Sequence, residues 1–145
     1  MSPMTVRLAY PCLCVDDMVS SIEFYRSLLD LAVVVDVDWY VEMAAVGEPS
    51  VMLAFVQRGH PTVPAGFDDS RAGVLVSLIV DDAAATYSRA QARGARIAYE
   101  LRDEEFGQRH FMVVDPDGLL VDVIERIRPS VGFRRQLVEG RRRAR

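Results

Sequence analysis

His110 and Asp122 are the two side chains in this sequence best suited to proton chemistry, and both fall in the run GQRHFMVVDPDGLLVDVIE. If Asp115-Pro116-Asp117-Gly118 turns the chain through a five-residue loop over 115–119, Met112 lies opposite Asp122 and His110 becomes its diagonal neighbour. An imidazole and a carboxylate so placed could pass a proton without a metal, as an isomerase, epimerase, cyclase or lyase-type enzyme requires. The same residues can be explained without catalysis. A strand histidine at a cavity rim can simply be satisfied, and Asp122 could cap a turn or pair with an arginine. A carboxylate inside Leu-Leu-Val-Asp-Val-Ile needs a partner either way. Cys12 and Cys14 are the only cysteines. Two apart on a strand they share a face and read as small packing residues, since neither a zinc spacing nor a disulfide framework is present.

The elements that must hold these residues come as two similar series. Residues 6–15 read as a strand, at an edge or bulged because Pro11 cannot donate to a ladder. Asp16 and Asp17 offer helix caps, and Met18, Ile22, Tyr25 and Leu29 recur with helical spacing to about Asp30. Strands are expected over 31–37 and 39–46, a turn at Gly47-Glu48-Pro49-Ser50, and a strand over 51–56. Residues 57–72, with several Pro and Gly and no periodicity, form a linker. The series then repeats: a strand over 74–80, caps at Asp81 and Asp82, a helix over 83–93 stopped by Gly94, and a strand over 95–100. A charged loop containing Phe106 and Gly107 follows, then strands over 109–114 and 119–125. The fold class is α+β, two βαβββ repeats over about 6–56 and 73–125, with curved mixed sheets forming a concave cleft and helices on the convex side.

Strand alternation sorts side chains between the two faces. With Asp122 pointing into the cleft, Leu120, Ile124, His110, Met112 and Val114 point the same way. Val51, Leu53 and Phe55 are assigned inward from the first half, with Tyr10, Cys12 and Cys14, and Leu75, Ser77 and Ile79 complete the second. Trp39 and Tyr40 occupy consecutive strand positions, so one of them faces in. The expected ligand-binding residues are therefore Tyr10, Trp39, Leu53, Phe55, Leu75, His110, Met112 and Asp122. They make an apolar, aromatic-lined pocket that suits an aromatic or heterocyclic molecule oriented by one or two hydrogen bonds. Core or interface packing explains Trp39, Phe55 and Met112 equally simply. His60 and Phe67 in the linker could cover the cleft.

The order strand, Val-Asp-Asp cap, Ser-Ile-Glu-Phe-Tyr helix and closing GQRHFMVVDPDGLLVDVIE run resembles the vicinal oxygen chelate superfamily. This superfamily includes glyoxalase I, fosfomycin-resistance enzymes, extradiol dioxygenases and bleomycin-resistance proteins. The resemblance covers residues 6 to about 127 and is most specific over 107–125. It implies a divalent metal held by one side chain from the first and one from the last strand of each half. Those positions map to Tyr10, Leu53, Leu75 and Asp122, of which only Asp122 is an ordinary ligand for such a metal. The resemblance therefore points to the metal-free, bleomycin-resistance-like members: no metal, no cofactor and no catalytic residue, with an antibiotic or similar compound bound. A glyoxalase- or dioxygenase-like enzyme with a degenerate metal site is the other reading. Such relatives pair two chains to complete their pockets, so a homodimer is expected, and Pro11 would suit a hinge for strand exchange.

The 145 residues are half hydrophobic and about a quarter charged, an ordinary single-domain composition. No apolar run approaches the roughly 20 residues of a membrane span, and the N-terminus lacks a secretory layout, so a cytoplasmic protein is expected. All 17 basic residues are arginine. Residues 126–145 carry 8 Arg and one Glu, a net +7, against −11 for the remainder, which together give −4. This Arg-rich C-terminal tail, 128–145, reads as a frayed, solvated terminus or one docked on an acidic surface. Nucleic acid is not expected as a partner, because no nucleic-acid motif accompanies the arginines. An interaction module centred on the tail is a third function class.

Overall fold

Aspartate caps start the first helix of each repeat. Asp17 accepts a hydrogen bond from the Ser20 N–H at 3.1 Å, and Asp82 accepts one from the Ala85 N–H at 2.9 Å. A computed structural model describes residues 5–69 and 71–145. Around the first cap run β1 (Cys12–Val15), α1 (Met18–Leu28), β2 (Leu31–Asp36), β3 (Tyr40–Ala45) and β4 (Glu48–Gln57). Around the second run β5 (Leu75–Ile79), α2 (Ala83–Ala92), β6 (Arg96–Glu104), β7 (Gln108–Val114) and β8 (Leu120–Arg126), and α3 (Val131–Arg143) follows. Each series makes a mixed four-stranded sheet, ordered β1-β4-β3-β2 and β5-β8-β7-β6. This is the expected α+β class with two βαβββ repeats. Among the described residues no helix is long and apolar enough to cross a membrane.

The chain divides into two compact units. The first comprises residues up to 73 together with 116–118, and the second comprises 74–115 and 119–145. In the first unit Leu13, Val15, Val41, Met43, Leu53 and Phe55 are buried, with Tyr25 and Leu28 of α1. The rings of Tyr25 and Phe55 lie 5.4 Å apart, which identifies this as the helix-facing side of the sheet. In the second unit Val76, Phe111, Val113, Val121 and Val123 are buried, with Phe111 5.0 Å from Tyr87 of α2. Burying each such side chain contributes about 1.5–3 kcal/mol, enough to fix which face each strand turns to its helix.

Several boundaries move. The first strand starts at Cys12 rather than at residue 6, which leaves Pro11 just outside it, and it lies at the sheet edge. The turn before β4 is confined to Val46 and Gly47; Glu48 and Pro49 already belong to the strand, where a register shift between Ala44 and Ala45 absorbs the proline. β6 runs on to Glu104 through two further register shifts, so half of the expected charged loop is strand. Trp39 precedes β3 instead of lying in it, after Asp38 at φ 66°. The basic tail is not frayed: the Ser130 hydroxyl accepts from the Phe133 N–H at 3.1 Å and starts α3.

Candidate functional site

β6, β7 and β8 bring a buried polar chain onto the face of the second sheet turned away from α2. Register pairs Met112 with Asp122 and His110 with Ile124, as the five-residue loop predicts. Asp115 closes that loop by accepting from the Leu119 N–H at 2.9 Å. His110 is 4% exposed. Its Nδ1 lies 2.8 Å from Asp122 Oδ1 and its Nε2 lies 3.3 Å from Glu104 Oε1. The Tyr99 hydroxyl donates to the same Glu104 oxygen at 3.0 Å, and Arg102 Nε reaches it at 2.8 Å. The Arg102 guanidinium carbon sits 4.9 Å from the centre of the Tyr99 ring. The rings of Tyr99 and Phe106 stand 5.4 and 6.2 Å from His110.

This crowding has an electrostatic consequence. The His110 hydrogen bond, aided by Tyr99 and Arg102, holds the Glu104 carboxyl below the usual carboxylate range. Desolvation, together with the hydrogen bond to Glu104, pushes the Tyr99 phenol up. The result is a poorly basic carboxylate and a firmly protonated phenol. Both ring nitrogens face carboxylate oxygens, so both polar positions of the imidazole are turned to neighbours within the sheet.

The first unit carries a different set on the equivalent face. The Tyr40 hydroxyl donates to Glu42 Oε1 at 2.7 Å. Burial, the bond to Glu42 and the neighbouring Tyr10 hydroxyl raise the Tyr40 phenol well above its ordinary value. Burial likewise pushes up the thiols of Cys12 and Cys14, which disfavours their thiolates.

The expected pocket residues do not all gather. His110, Met112 and Asp122 share the second sheet's face with Ser77, which pairs with Asp122. Leu75 is on that face but 49% exposed on the edge strand β5. Leu53 and Phe55 are a correction. They are 2% and 0% exposed on the opposite, helix-facing side, and Met52, Ala54 and Val56 take the face assigned to them. The correct correspondence between halves follows from the parallel pairs: Cys12 faces Ala54 as Ser77 faces Asp122. The last-strand position of the first half is therefore Ala54, not Leu53. Tyr10 lies outside β1, 42% exposed, beside Tyr40. Trp39 is not on a strand face; it stacks on His60 with ring centres 3.9 Å apart and planes 5° from parallel. Phe67 is 77% exposed. Sequence reasoning missed Glu104, Tyr99 and Glu42. The register shifts in β6 break the period-two pattern that would have placed the first two, and Glu42 lies among apolar neighbours with no motif.

A divalent metal of the kind the resemblance implies does not fit these residues. Of Tyr10, Ala54, Leu75 and Asp122 only the last is an ordinary ligand, and it is committed to His110. Among the described residues no group of three His, Cys, Asp or Glu side chains converges on a possible metal position.

Residues 7–123 match the family model described as "Glyoxalase/Bleomycin resistance protein/Dioxygenase superfamily". Comparison with curated proteins gives no significant match. Among solved structures, the chain resembles a bleomycin resistance determinant encoded on the transposon Tn5, with 25% identity over 83% of this chain and 98% of that one and a TM-score of 0.63. It also resembles a glyoxalase/bleomycin resistance protein/dioxygenase from Nocardioides, at 19% identity, 87% of each chain and TM-score 0.67. TioX from Micromonospora sp. ML1 is similar at 18% identity, 84% of this chain and 100% of that one, with TM-score 0.64.

Proposed function

Since the chain belongs to the glyoxalase/bleomycin resistance protein/dioxygenase superfamily, we propose that it works as a metal-independent binder of an aromatic or hydrophobic small molecule, such as an antibiotic. The observation that carries this reading is the closed chain Asp122–His110–Glu104. A catalytic base needs a free lone pair and adequate basicity. Here the imidazole is engaged at both nitrogens and Glu104 is held below the usual carboxylate range. What the chain does well is fix a floor around His110 against which the rings of Tyr99 and Phe106 pack, with Met112 of β7 and Leu120 of β8 on the same face. The likeness to a bleomycin resistance determinant supports the drug-binding version.

The test is a thermal-shift survey of aromatic antibiotics with metal-chelated protein, each hit then checked by mass spectrometry. A binder raises the melting temperature and returns the ligand unchanged, and Tyr99→Ala weakens the shift. Conversion of a bound compound, or binding only after a divalent metal is restored, would overturn the proposal.

The 2.8 Å contact between His110 and Asp122 favours one second reading, a metal-independent isomerase, epimerase or lyase-type enzyme. Turnover that His110→Gln abolishes would select it. In either case we infer a homodimer. Leu75 and Ile79 are 49% and 53% exposed on the edge strand β5, an apolar edge of the kind a second copy covers. Sedimentation of the full chain checks this.

A further inference from the structure

Glu42 is a half-buried carboxylate that no cation pairs with among the described residues. Its one hydrogen bond comes from the Tyr40 hydroxyl at 2.7 Å. Among the described residues no arginine or histidine pairs with it. Comparable carboxylates elsewhere are matched: Glu104 by Arg102, Glu125 by Arg109, and Asp117 by Arg58. The chain contains no lysine whose flexible ammonium could reach in.

The surroundings of Glu42 are apolar and low. Ala54 lies directly opposite on β4 and Val35 on β2, with Cys12 beyond Ala54 on the edge strand β1. All lie on the sheet face turned away from α1, because their chain neighbours Val41, Leu53 and Phe55 fill the helix side. Ala54 is itself fully buried, so the carboxylate's open side lies away from it, toward Tyr40 and Tyr10. Two tyrosines stand at its margin: Tyr40, which donates to the carboxylate, and the 42% exposed Tyr10, which neighbours the Tyr40 hydroxyl. A partly desolvated anion beside aromatic rings attracts an ammonium group by charge and by the ring quadrupole together.

We propose that the first unit carries a binding site for an organic ammonium ion with an apolar or aromatic body, with Glu42 as counter-ion and Tyr40 and Tyr10 as its aromatic walls. Tyr40 acts as a positioning residue for the carboxylate. Because its phenol is held protonated, it donates to Glu42 and leaves the second carboxylate oxygen for the ligand. The inference concerns the first unit alone and stands whether or not the second sheet binds anything.

The experiment uses the full chain at pH 7 and two probes of nearly equal shape, 1-naphthylmethylamine and 1-naphthalenemethanol. Calorimetric titration should give about tenfold tighter binding for the ammonium than for the alcohol, a preference that weakens with added salt. Glu42→Gln should bring the two probes within about twofold of each other, and Tyr40→Phe should keep only part of the preference. The probe comparison on the unaltered chain is decisive even if a variant folds poorly. Equal binding of the two probes, binding of neither, or a preference that survives in folded Glu42→Gln protein overturns the proposal.

Discussion

Matched rows of the two sheets run Cys12, Ala54, Glu42, Val35 in the first unit and Ser77, Asp122, Met112, Tyr99 in the second. Each row holds one carboxylate, but on different strands: β8 in the second and β3 in the first. The neighbours differ more than the acids do. His110 stands two residues before Met112, where the first unit has Tyr40 two residues before Glu42. Asp122 is therefore answered by an imidazole, whereas Glu42 receives only a phenol's hydrogen bond. The same scaffold thus closes one carboxylate onto its own side chains and leaves the other, among the described residues, without an arginine or histidine. Burial alone does not decide whether a charged group stabilises a fold or stands ready for a ligand; the kind of internal hydrogen-bonding partner does.

The widest separation between the two carboxylates should appear in stability. Asp122→Ala leaves His110 buried with a stranded ring nitrogen and should cost about 3 kcal/mol in urea unfolding. Glu42→Ala should cost about 0.5 kcal/mol or less, since it removes a half-buried charge that, among the described residues, no cation pairs with. Comparable costs would break the comparison. The turns should separate next. Gly107 has φ 96°, and a Cβ there would meet Pro129 Cγ at 2.8 Å and the Ile127 carbonyl oxygen at 3.0 Å, whereas Gly47, at φ 81°, has open space around it. Gly107→Ala should cost about 2 kcal/mol and Gly47→Ala about 1 kcal/mol, both read from denaturant midpoints. The caps, by contrast, should behave alike: Asp17→Ala and Asp82→Ala should each cost about 1 kcal/mol.

The smallest effect concerns acid. Glu104 is depressed when folded, so its contribution is present above the unfolded carboxyl value of about 4.3 and is lost as pH falls through the lower folded value. Glu104→Gln should therefore show a shallower loss of stability between pH 5 and pH 3 than the unaltered protein, measured by urea midpoints across that range. An unchanged slope would mean that Glu104 is not held by His110 in solution.

Much of this was legible in the residues. The Val-Asp-Asp caps and the Asp-Pro-Asp-Gly turn carry local rules strong enough to place two helices and the β7–β8 register. Asp122, as the odd polar residue in an apolar strand, marked the phase of β8. β4 had no such mark. Val-Met-Leu-Ala-Phe-Val is apolar on both faces, so alternation could not say whether Leu53 or Ala54 faced the helix, and Leu53 and Phe55 were assigned to the wrong side. Glu104 was hidden for another reason: strand β6 reaches it only through register shifts that no simple periodicity describes.

Asp117 has a consequence for how the protein is made. It accepts hydrogen bonds from the Asp16 backbone at 2.8 Å and the Ser21 hydroxyl at 3.4 Å, and residues 116–118 belong to the first unit although they lie 101 positions after Asp16 in the chain. At translation speeds of about 5–20 residues per second, the start of α1 is synthesised about 5–20 s before the aspartate that completes it is added. The nascent first unit must wait through that interval with its opening turn unfinished.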